Sequence, residues 1–370
     1  MSKNIQEIPF TELVERVGLI ARERADVDPK IRGAVNDTYI REIGRKWDWN
    51  FLLVSSTLTV TPSYNTGTVS ANTGATTLTF SSDVSLDASY TGSQVKITGN
   101  DYVYNATYQS ATSLTIQPPI SGNLNYTNAG YTIFFPFYAL AQDFDRLVKN
   151  GSLVNYIGGV QKTIAETPYQ EWAPNYSVSP SDTPDRIRII GTNTAGNQVL
   201  EINPPPKTAK SYMYNYYQSL KPMRETTAGL IGSIGSSSTS VVGDSNTRFL
   251  EANTGDYFRI DAFGTGNDSE WYRIISIQNN STMTLQTAFG LSGATSTGYT
   301  ICSSPQIPVK LHPAIMYGAI LQIAVDQTDQ MYQAYNMKLA EVLSDGKRLY
   351  VSRVYNQQLH SDAEEYLYRF

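Results

Sequence analysis

Gly92-Ser93-Gln94-Val95-Lys96-Ile97 is answered 163 positions later by Gly255-Asp256-Tyr257-Phe258-Arg259-Ile260. In both stretches apolar residues alternate after a glycine, the period-two pattern of a half-buried strand entered from a turn. The likeness continues outward. Tyr108-Gln109-Ser110-Ala111-Thr112-Ser113-Leu114-Thr115-Ile116 matches Ile277-Gln278-Asn279-Asn280-Ser281-Thr282-Met283-Thr284-Leu285, and Gly130-Tyr131-Thr132-Ile133 matches Gly298-Tyr299-Thr300-Ile301. The matches keep their order, so the chain carries an internal duplication. Two copies are too few for a solenoid, and each is expected to form its own small antiparallel β-barrel or sandwich, over 51–135 and 224–304.

Between the copies, 136–223 reads as a central β-rich region. Its strands are Arg186-Ile187-Arg188-Ile189-Ile190 and Tyr212-Met213-Tyr214-Asn215-Tyr216-Tyr217, with the breaker Pro204-Pro205-Pro206 between them and a short helix expected at 143–150. The flanks change to helical spacing. Leu13, Val14, Val17 and Ile20 mark a first helix, and Asp28-Pro29 opens a second with Ile31, Val35, Tyr39 and Ile43 on one face, within 1–50. From Pro313, Met316, Ile320, Ile323, Met331, Tyr335, Leu339 and Val342 predict one long helix within 305–345, ended by Asp345-Gly346, with 346–370 as a tail. The expected fold class is α+β: a helical bundle from the N-terminal helices and a long C-terminal helix, two duplicated β-modules, and a central β-rich region.

The chain has 370 residues, enough for two or three packing units. Charged residues make up only 16%, and 26 tyrosines together with Ser, Thr and Asn take their place, a composition suited to flat β-surfaces and subunit contacts. The formal charge of −5 supplies no basic field for tight nucleic-acid binding. Cys302 is the single cysteine, which rules out an intrachain disulfide and metal or redox motifs built on cysteine pairs. No stretch approaches the length of a membrane span and the start lacks an apolar leader, so a soluble, unsecreted protein assembled in the cytoplasm is expected.

Chemistry-bearing constellations are scarce. His312 and His360 are the only histidines, too few for a metal trio, and His312 beside Pro313 reads as a helix-start residue. Asp261, Asn267, Asp268 and Glu270 supply hard oxygen ligands without the EF-hand spacing. Asp143 with Glu166 or Glu171 has the residue types of a glycosidase pair but reads as ordinary surface acids. Trp47-Asp48-Trp49 reads as packing at a helix-to-strand junction. No catalytic residue, cofactor or metal is predicted, and the chain is not expected to be an enzyme.

A helix, a second helix running into Trp47-Asp48-Trp49, and a Thr-rich β-module closing on Gly130-Tyr131-Thr132-Ile133 resemble the head-to-tail adaptor (connector) proteins of tailed bacteriophages, of the tail accessory or tail tubular type. Tyr138-Ala139-Leu140-Ala141-Gln142-Asp143-Phe144 is similar to that family's Tyr-x-Leu-Pro-x-Asp-Phe, departing at Ala141 where proline is usual. Glu171-Trp172, the proline run with its Tyr-rich strand, and the helix after His312-Pro313 follow in the family's order. The resemblance implies a homo-oligomer, a twelve-subunit ring at the head-tail junction of a virion. It would contact the portal protein and a tail nozzle or tail tube protein, without a membrane, and genomic DNA would pass non-specifically through its channel during ejection. An acidic lumen agrees with that passage, since it repels DNA. The resemblance also implies a terminal extension docked on the portal, with Tyr355, Tyr366, Tyr368 and Phe370 as anchors. The alternative is a receptor- or glycan-binding tail protein, for which Trp172 or Trp271 would be exposed for sugar stacking.

Overall fold

The computed structural model of the chain describes residues 7–21, 28–121, 125–148, 152–157, 160–172, 176–260, 270–290, 293, 295–323 and 330–351. The chain divides into two compact units. Named for their place in the sequence alone, the inner unit is Leu52–Gln218, and the outer unit joins Met1–Phe51 to Ser219–Phe370.

The inner unit opens with β1 (Leu53–Val60), which pairs antiparallel with the unit's last strand, β15 (Lys210–Gln218), from Leu53 opposite Tyr217 to Val60 opposite Lys210. Alternation in β15 sends Tyr212, Tyr214 and Tyr216 inward and leaves Met213 half exposed. Phe144 packs on the rings of Tyr216 and Tyr214, at 5.4 and 6.4 Å between centroids.

Seven further strands form a sheet that curls on itself, here barrel A: β2 (Val69–Ala71), β3 (Thr77–Phe80), β4 (Gln94–Ile97), β5 (Val103–Ser110), β6 (Ser113–Gln117), β7 (Tyr126–Ala129) and β8 (Tyr131–Phe134). The hydrogen-bonded path runs β7-β2-β3-β6-β5-β4-β8. Its two end strands are separated by Gly130 alone, so the sheet closes barrel-like and its inward residues, among them Leu78, Val95, Tyr104, Leu114 and Ile133, are buried.

The remaining strands of the unit are β9 (Phe137–Ala139), β10 (Phe144–Leu147), β11 (Ser152–Ile157), β12 (Val160–Glu166), β13 (Arg186–Thr192) and β14 (Gln198–Asn203), with the single turn of α3 (Tyr169–Trp172) before β13. They extend the β1–β15 pair into a sheet of order β1-β15-β11-β12-β13-β14-β9, and β10 adds to β15. The helix expected at 143–150 is therefore corrected: Phe144–Leu147 is a strand, because Phe144 and Leu147 must both reach the tyrosine-lined core from an edge beside β15.

The outer unit holds barrel B: β16 (Glu225–Thr226), β17 (Ile231–Ile234), β18 (Ser240–Gly243), β19 (Tyr257–Ile260), β20 (Tyr272–Asn279), β21 (Thr282–Leu285) and β22 (Tyr299–Cys302), ordered β16-β22-β19-β20-β21-β18-β17. Six strands repeat the path of barrel A one for one, with β17, β18, β21, β20, β19 and β22 standing for β2, β3, β6, β5, β4 and β8. Closure is repeated too. In barrel A, Val69 pairs with Ala129 and Tyr64 bridges Ile133; in barrel B, Ile231 bridges Thr297 and Thr226 pairs with Ile301.

Among the described residues four α-helices complete the outer unit, α1 (Phe10–Ala21), α2 (Asp28–Asp37), α4 (His312–Ile323) and α5 (Gln330–Tyr350), and a π-helix over Thr38–Gly44 continues α2. Here the fold expectation fails. The chain is β-rich, with 37% strand against 25% helix, and it is not a helical bundle closed by a long C-terminal helix. The segment expected as one long helix is a 3-10 turn at Val309–Leu311, then α4, then α5 as a separate helix. A 3.6-residue spacing runs through both because periodicity carries no signal for a break between two helices. α1 and α4 have 12 residues each and are about 18 Å long, and with α2 they bury a small apolar set that includes Leu13, Val17, Val35, Ile315 and Ala319. Two larger apolar clusters lie in the sheets.

The helices are tied to barrel B and its flanking strands by long-range polar contacts within the unit. Phe10 N–H donates to the Ser303 carbonyl at 3.0 Å, and Thr11 Oγ1 donates to Glu225 at 2.8 Å. Asn36 both donates to and accepts from the Met223 backbone, at 2.9 and 2.7 Å. The Tyr39 hydroxyl accepts from Gln306 N–H at 2.8 Å, and burial pushes its phenol well above the usual range.

Candidate interaction surface

The shared hydrogen bonding of the two barrels fixes which residues are equivalent. Gly92 N–H donates to the Ala106 carbonyl at 2.9 Å as Gly255 does to that of Ile274 at 2.8 Å. Ser81 N–H donates to the Thr68 carbonyl as Asp244 does to Leu230, Phe80 to Thr112 as Gly243 to Ser281, and Leu86 to Ala111 as Phe249 to Asn280. These pairs set Leu230 at the place of Thr68, Val242 at that of Thr79 and Leu250 at that of Asp87. In barrel B all three are exposed, and their counterparts in barrel A are polar, Thr79 and Asp87 exposed and Thr68 half-buried.

A fourth exposed apolar residue of barrel B has no partner position in barrel A. Ile275 is the extra residue of a bulge between Ile274 and Ser276 on β20, a place where β5 runs in regular register from Ala106 to Tyr108. A bulge re-aims one side chain outward, and Ile275 is 48% exposed. Scattered apolar residues on a surface mean little alone. A repeat that keeps its core pattern while changing the same surface from Thr and Asp to Leu and Val is informative, because the sister copy shows that folding does not require them. α5 adds exposed Met331, Met337 and Leu349 to the outer unit.

A cavity of about 620 Å³ in the outer unit lies where the Asn253-Thr254-Gly255-Asp256 turn faces Lys221, Arg224 and Arg273. Burial raises the Asp256 carboxyl above the usual carboxylate range, although Oδ2 accepts from Asn253 N–H at 2.8 Å. Glu7, also lining the cavity, accepts from the hydroxyls of Tyr257 at 2.7 Å and Ser304 at 3.2 Å. Its contacts are structural, joining the chain before α1 to barrel B.

The predicted portal anchors Tyr355, Tyr366, Tyr368 and Phe370 lie outside the described residues, as do His360, Asp261, Asn267 and Asp268. Among the described residues no group of His, Cys, Asp or Glu is arranged to hold a metal ion. The start of the tail expected over 346–370 is ordered structure instead: α5 runs on to Tyr350, and Val351 bridges Trp49, while 352–370 lie outside the described residues. Gly346 does not end the helix. Its missing Cβ would lie 2.4 Å from Leu311 Cδ2 and 3.6 Å from the Trp49 ring, so the glycine is there for close packing.

His312 is the first residue of α4 and fully buried. Nδ1 accepts from Ile8 N–H at 3.0 Å, which leaves the proton on Nε2, donated to the Ile307 carbonyl at 3.1 Å. Burial pushes its pKa down. Asp143 accepts from the Tyr216 hydroxyl at 2.7 Å, while Glu166 and Glu171 are exposed. Ala141, at the departure from the adaptor motif, uses the N–H that a proline lacks to donate to the Tyr214 hydroxyl at 3.1 Å.

The tryptophans are packing residues. Trp49 is buried, with Nε1 donating to the Ile43 carbonyl at 2.6 Å, and Lys347 lies 4.0 Å above the Trp47 ring. Trp172 and Trp271 are 2% and 7% exposed, and the guanidiniums of Arg188 and Arg259 lie over their rings at 4.7 and 4.4 Å. Neither presents an open face for sugar stacking. The contrast between the barrel surfaces was missed from sequence, although the aligned repeats contained it. The signal is the side chains that differ at outward positions rather than those that match.

No family model matches the chain, and no curated protein matches it. Among solved structures it is similar to the apo form of translation elongation factor SelB from Methanococcus maripaludis, with 7% identity and a TM-score of 0.16 over 69% of this chain. The chain spans 64% of that protein's length. So low a score supports no inference about fold or activity. No helix among the described residues is long and apolar enough to cross a membrane.

Proposed function

We propose that the chain is a structural head-to-tail adaptor of a tailed phage virion, acting by association and not by catalysis. Copies form a ring, of twelve subunits on the adaptor resemblance, that joins the portal to a tail nozzle or tail tube protein. DNA passes through the ring without specific contacts. The observation that supports an assembly role is the set of exposed apolar residues of barrel B, Leu230, Val242 and Leu250, at positions where barrel A has Thr68, Thr79 and Asp87. The segment after Val351, with Tyr355, Tyr366, Tyr368 and Phe370, is the proposed portal anchor.

The test is co-sedimentation of the purified chain with a cognate portal, read by negative-stain microscopy, beside a chain ending at Val351. The 370-residue chain is expected to form rings on the portal, and the shortened chain to lose them. A 370-residue chain that stays monomeric beside the portal sinks the adaptor reading. Undiminished binding by the shortened chain sinks the anchor alone.

A further inference from the structure

The cavity of about 620 Å³ in the outer unit is lined by three cations, Lys221, Arg224 and Arg273, against two carboxylates, Glu7 and Asp256. The lining is therefore positive, in a chain whose net charge is −5. Both carboxylates are engaged elsewhere: Glu7 Oε2 accepts from the Tyr257 and Ser304 hydroxyls, and Asp256 Oδ2 accepts from Asn253 N–H. Among the described residues none of the three cations forms an ion pair. All three are exposed, so their N–H groups are open to a ligand.

The two guanidiniums stand at one turn. Arg273 of β20 pairs with Tyr257 of β19, and its Nη2 lies 3.8 Å from where a Cβ on Gly255 would be. Arg224, just before β16, donates through Nη2 to the Glu251 carbonyl, four residues before that glycine, and its charge is felt at Asp256, one residue after it. The Arg224 backbone is clamped to Ser303: its N–H donates to Oγ at 3.2 Å and its carbonyl accepts from N–H at 2.9 Å. Barrel A has none of these charges. Tyr257 pairs with Arg273 as Gln94 pairs with Asn105, so Arg273 stands at the place of Asn105. Thr226 pairs with Ile301 as Tyr64 bridges Ile133, which sets Arg224 at the place of Pro62. Beside Gly92, the counterpart of Gly255, nothing lies within 4 Å of the Cβ position. The barrel folds without the cations.

Two guanidiniums and an ammonium offer more donors than the two oxygens of one carboxylate can accept, and a tetrahedral dianion uses them better. A bare ion would leave most of the cavity empty, since volumes of this size hold small organic ligands. We propose that this cavity binds a phosphate group carried on a small organic molecule, the phosphate oxygens held by Arg224 and Arg273 with Lys221 adding charge. The site does not depend on the adaptor reading and stands or falls separately from ring formation.

The test is isothermal titration calorimetry of the 370-residue chain, at fixed ionic strength, with adenosine monophosphate, glucose 6-phosphate, inorganic phosphate and the dicarboxylate glutarate. Saturable binding of at least one of the two esters is expected, with inorganic phosphate weaker and glutarate weaker still. Arg273→Asn, which installs the residue of barrel A, is expected to weaken the ester about tenfold or more, and Lys221→Thr to weaken it in the same direction. Both side chains are exposed, so melting temperatures should stay within a few degrees of the parent. Lys207→Gln removes an exposed cation of the inner unit and should leave the affinity unchanged. If Arg273→Asn does not fold, Lys221→Thr decides. The proposal is overturned by the absence of saturable ester binding, by affinity indifferent to Arg273→Asn, or by an equal loss in Lys207→Gln, which would mark a general charge effect. Inorganic phosphate bound as tightly as the esters, or glutarate bound as tightly, overturns it as well, the first pointing to a free ion and the second to a carboxylate partner.

Discussion

Gly318 sits in α4 where a Cβ would lie 2.4 Å from Cγ2, 3.1 Å from Oγ1 and 3.4 Å from Cβ of Thr38. Thr38 is fully buried and β-branched, with no freedom to swing aside. Alanine gains about 1 kcal/mol in helix propensity. The overpacking it causes costs about 1–3 kcal/mol, so repulsion wins. Gly318→Ala is expected to lower stability by about 1 kcal/mol, read by urea unfolding. His312 makes a second residue-scale prediction. Its folded pKa is held below the unfolded value of about 6.5, so on acidification the unfolded chain takes up the proton first. Its contribution is constant above neutrality, is lost as pH falls through about 6.5, and levels off below the folded pKa. Thermal melting between pH 7.5 and pH 5 should show a steeper loss for the parent than for His312→Asn, which keeps an acceptor for Ile8. Equal slopes would refute the assignment.

At the scale of elements, each barrel is pinned by a tyrosine at the same place. The Tyr131 hydroxyl donates to the Thr66 carbonyl and the Tyr299 hydroxyl to the Ala228 carbonyl, both at 2.5 Å, each one residue before a left-handed glycine, Gly67 or Gly229. Burial raises both phenols, Tyr299 to about 12. Tyr131→Phe and Tyr299→Phe are each expected to cost about 1 kcal/mol by chemical denaturation, and similar costs are the point, because the same bond is deleted twice. Much of this was legible in the chain: Gly92–Ile97 and Gly255–Ile260 mark β4 and β19, and Gly130–Ile133 and Gly298–Ile301 mark β8 and β22. Helix boundaries were not. Met316 through Val342 keep one period across two helices, and Asp345-Gly346 looks like a stop signal although its glycine is a contact made with Leu311, distant in sequence. The cavity at Arg224 and Arg273 was illegible for the same reason, since residues 7, 224, 256 and 273 meet only in the folded outer unit.

For the whole molecule, the two barrels supply each other's control. Giving barrel B the polar residues of barrel A, with Leu230→Thr, Val242→Thr and Leu250→Asp together, is expected to leave the melting temperature within a few degrees of the parent, since the side chains are exposed. Self-association measured by sedimentation velocity should fall sharply. Unchanged association would remove the surface contrast as support for an assembly role.

The inner unit also begins and ends side by side, with Leu53 opposite Tyr217. During synthesis this unit is complete once Gln218 has left the ribosome, whereas Met1–Phe51 must wait for barrel B and α4, which are translated later. Nascent α1 and α2 thus emerge first and settle last, an inversion of the usual vectorial order in which N-terminal domains mature ahead of C-terminal ones. In the interval the stripes carrying Leu13, Val17, Ile31 and Val35 have no home, and they stay open to water until α4 has been made.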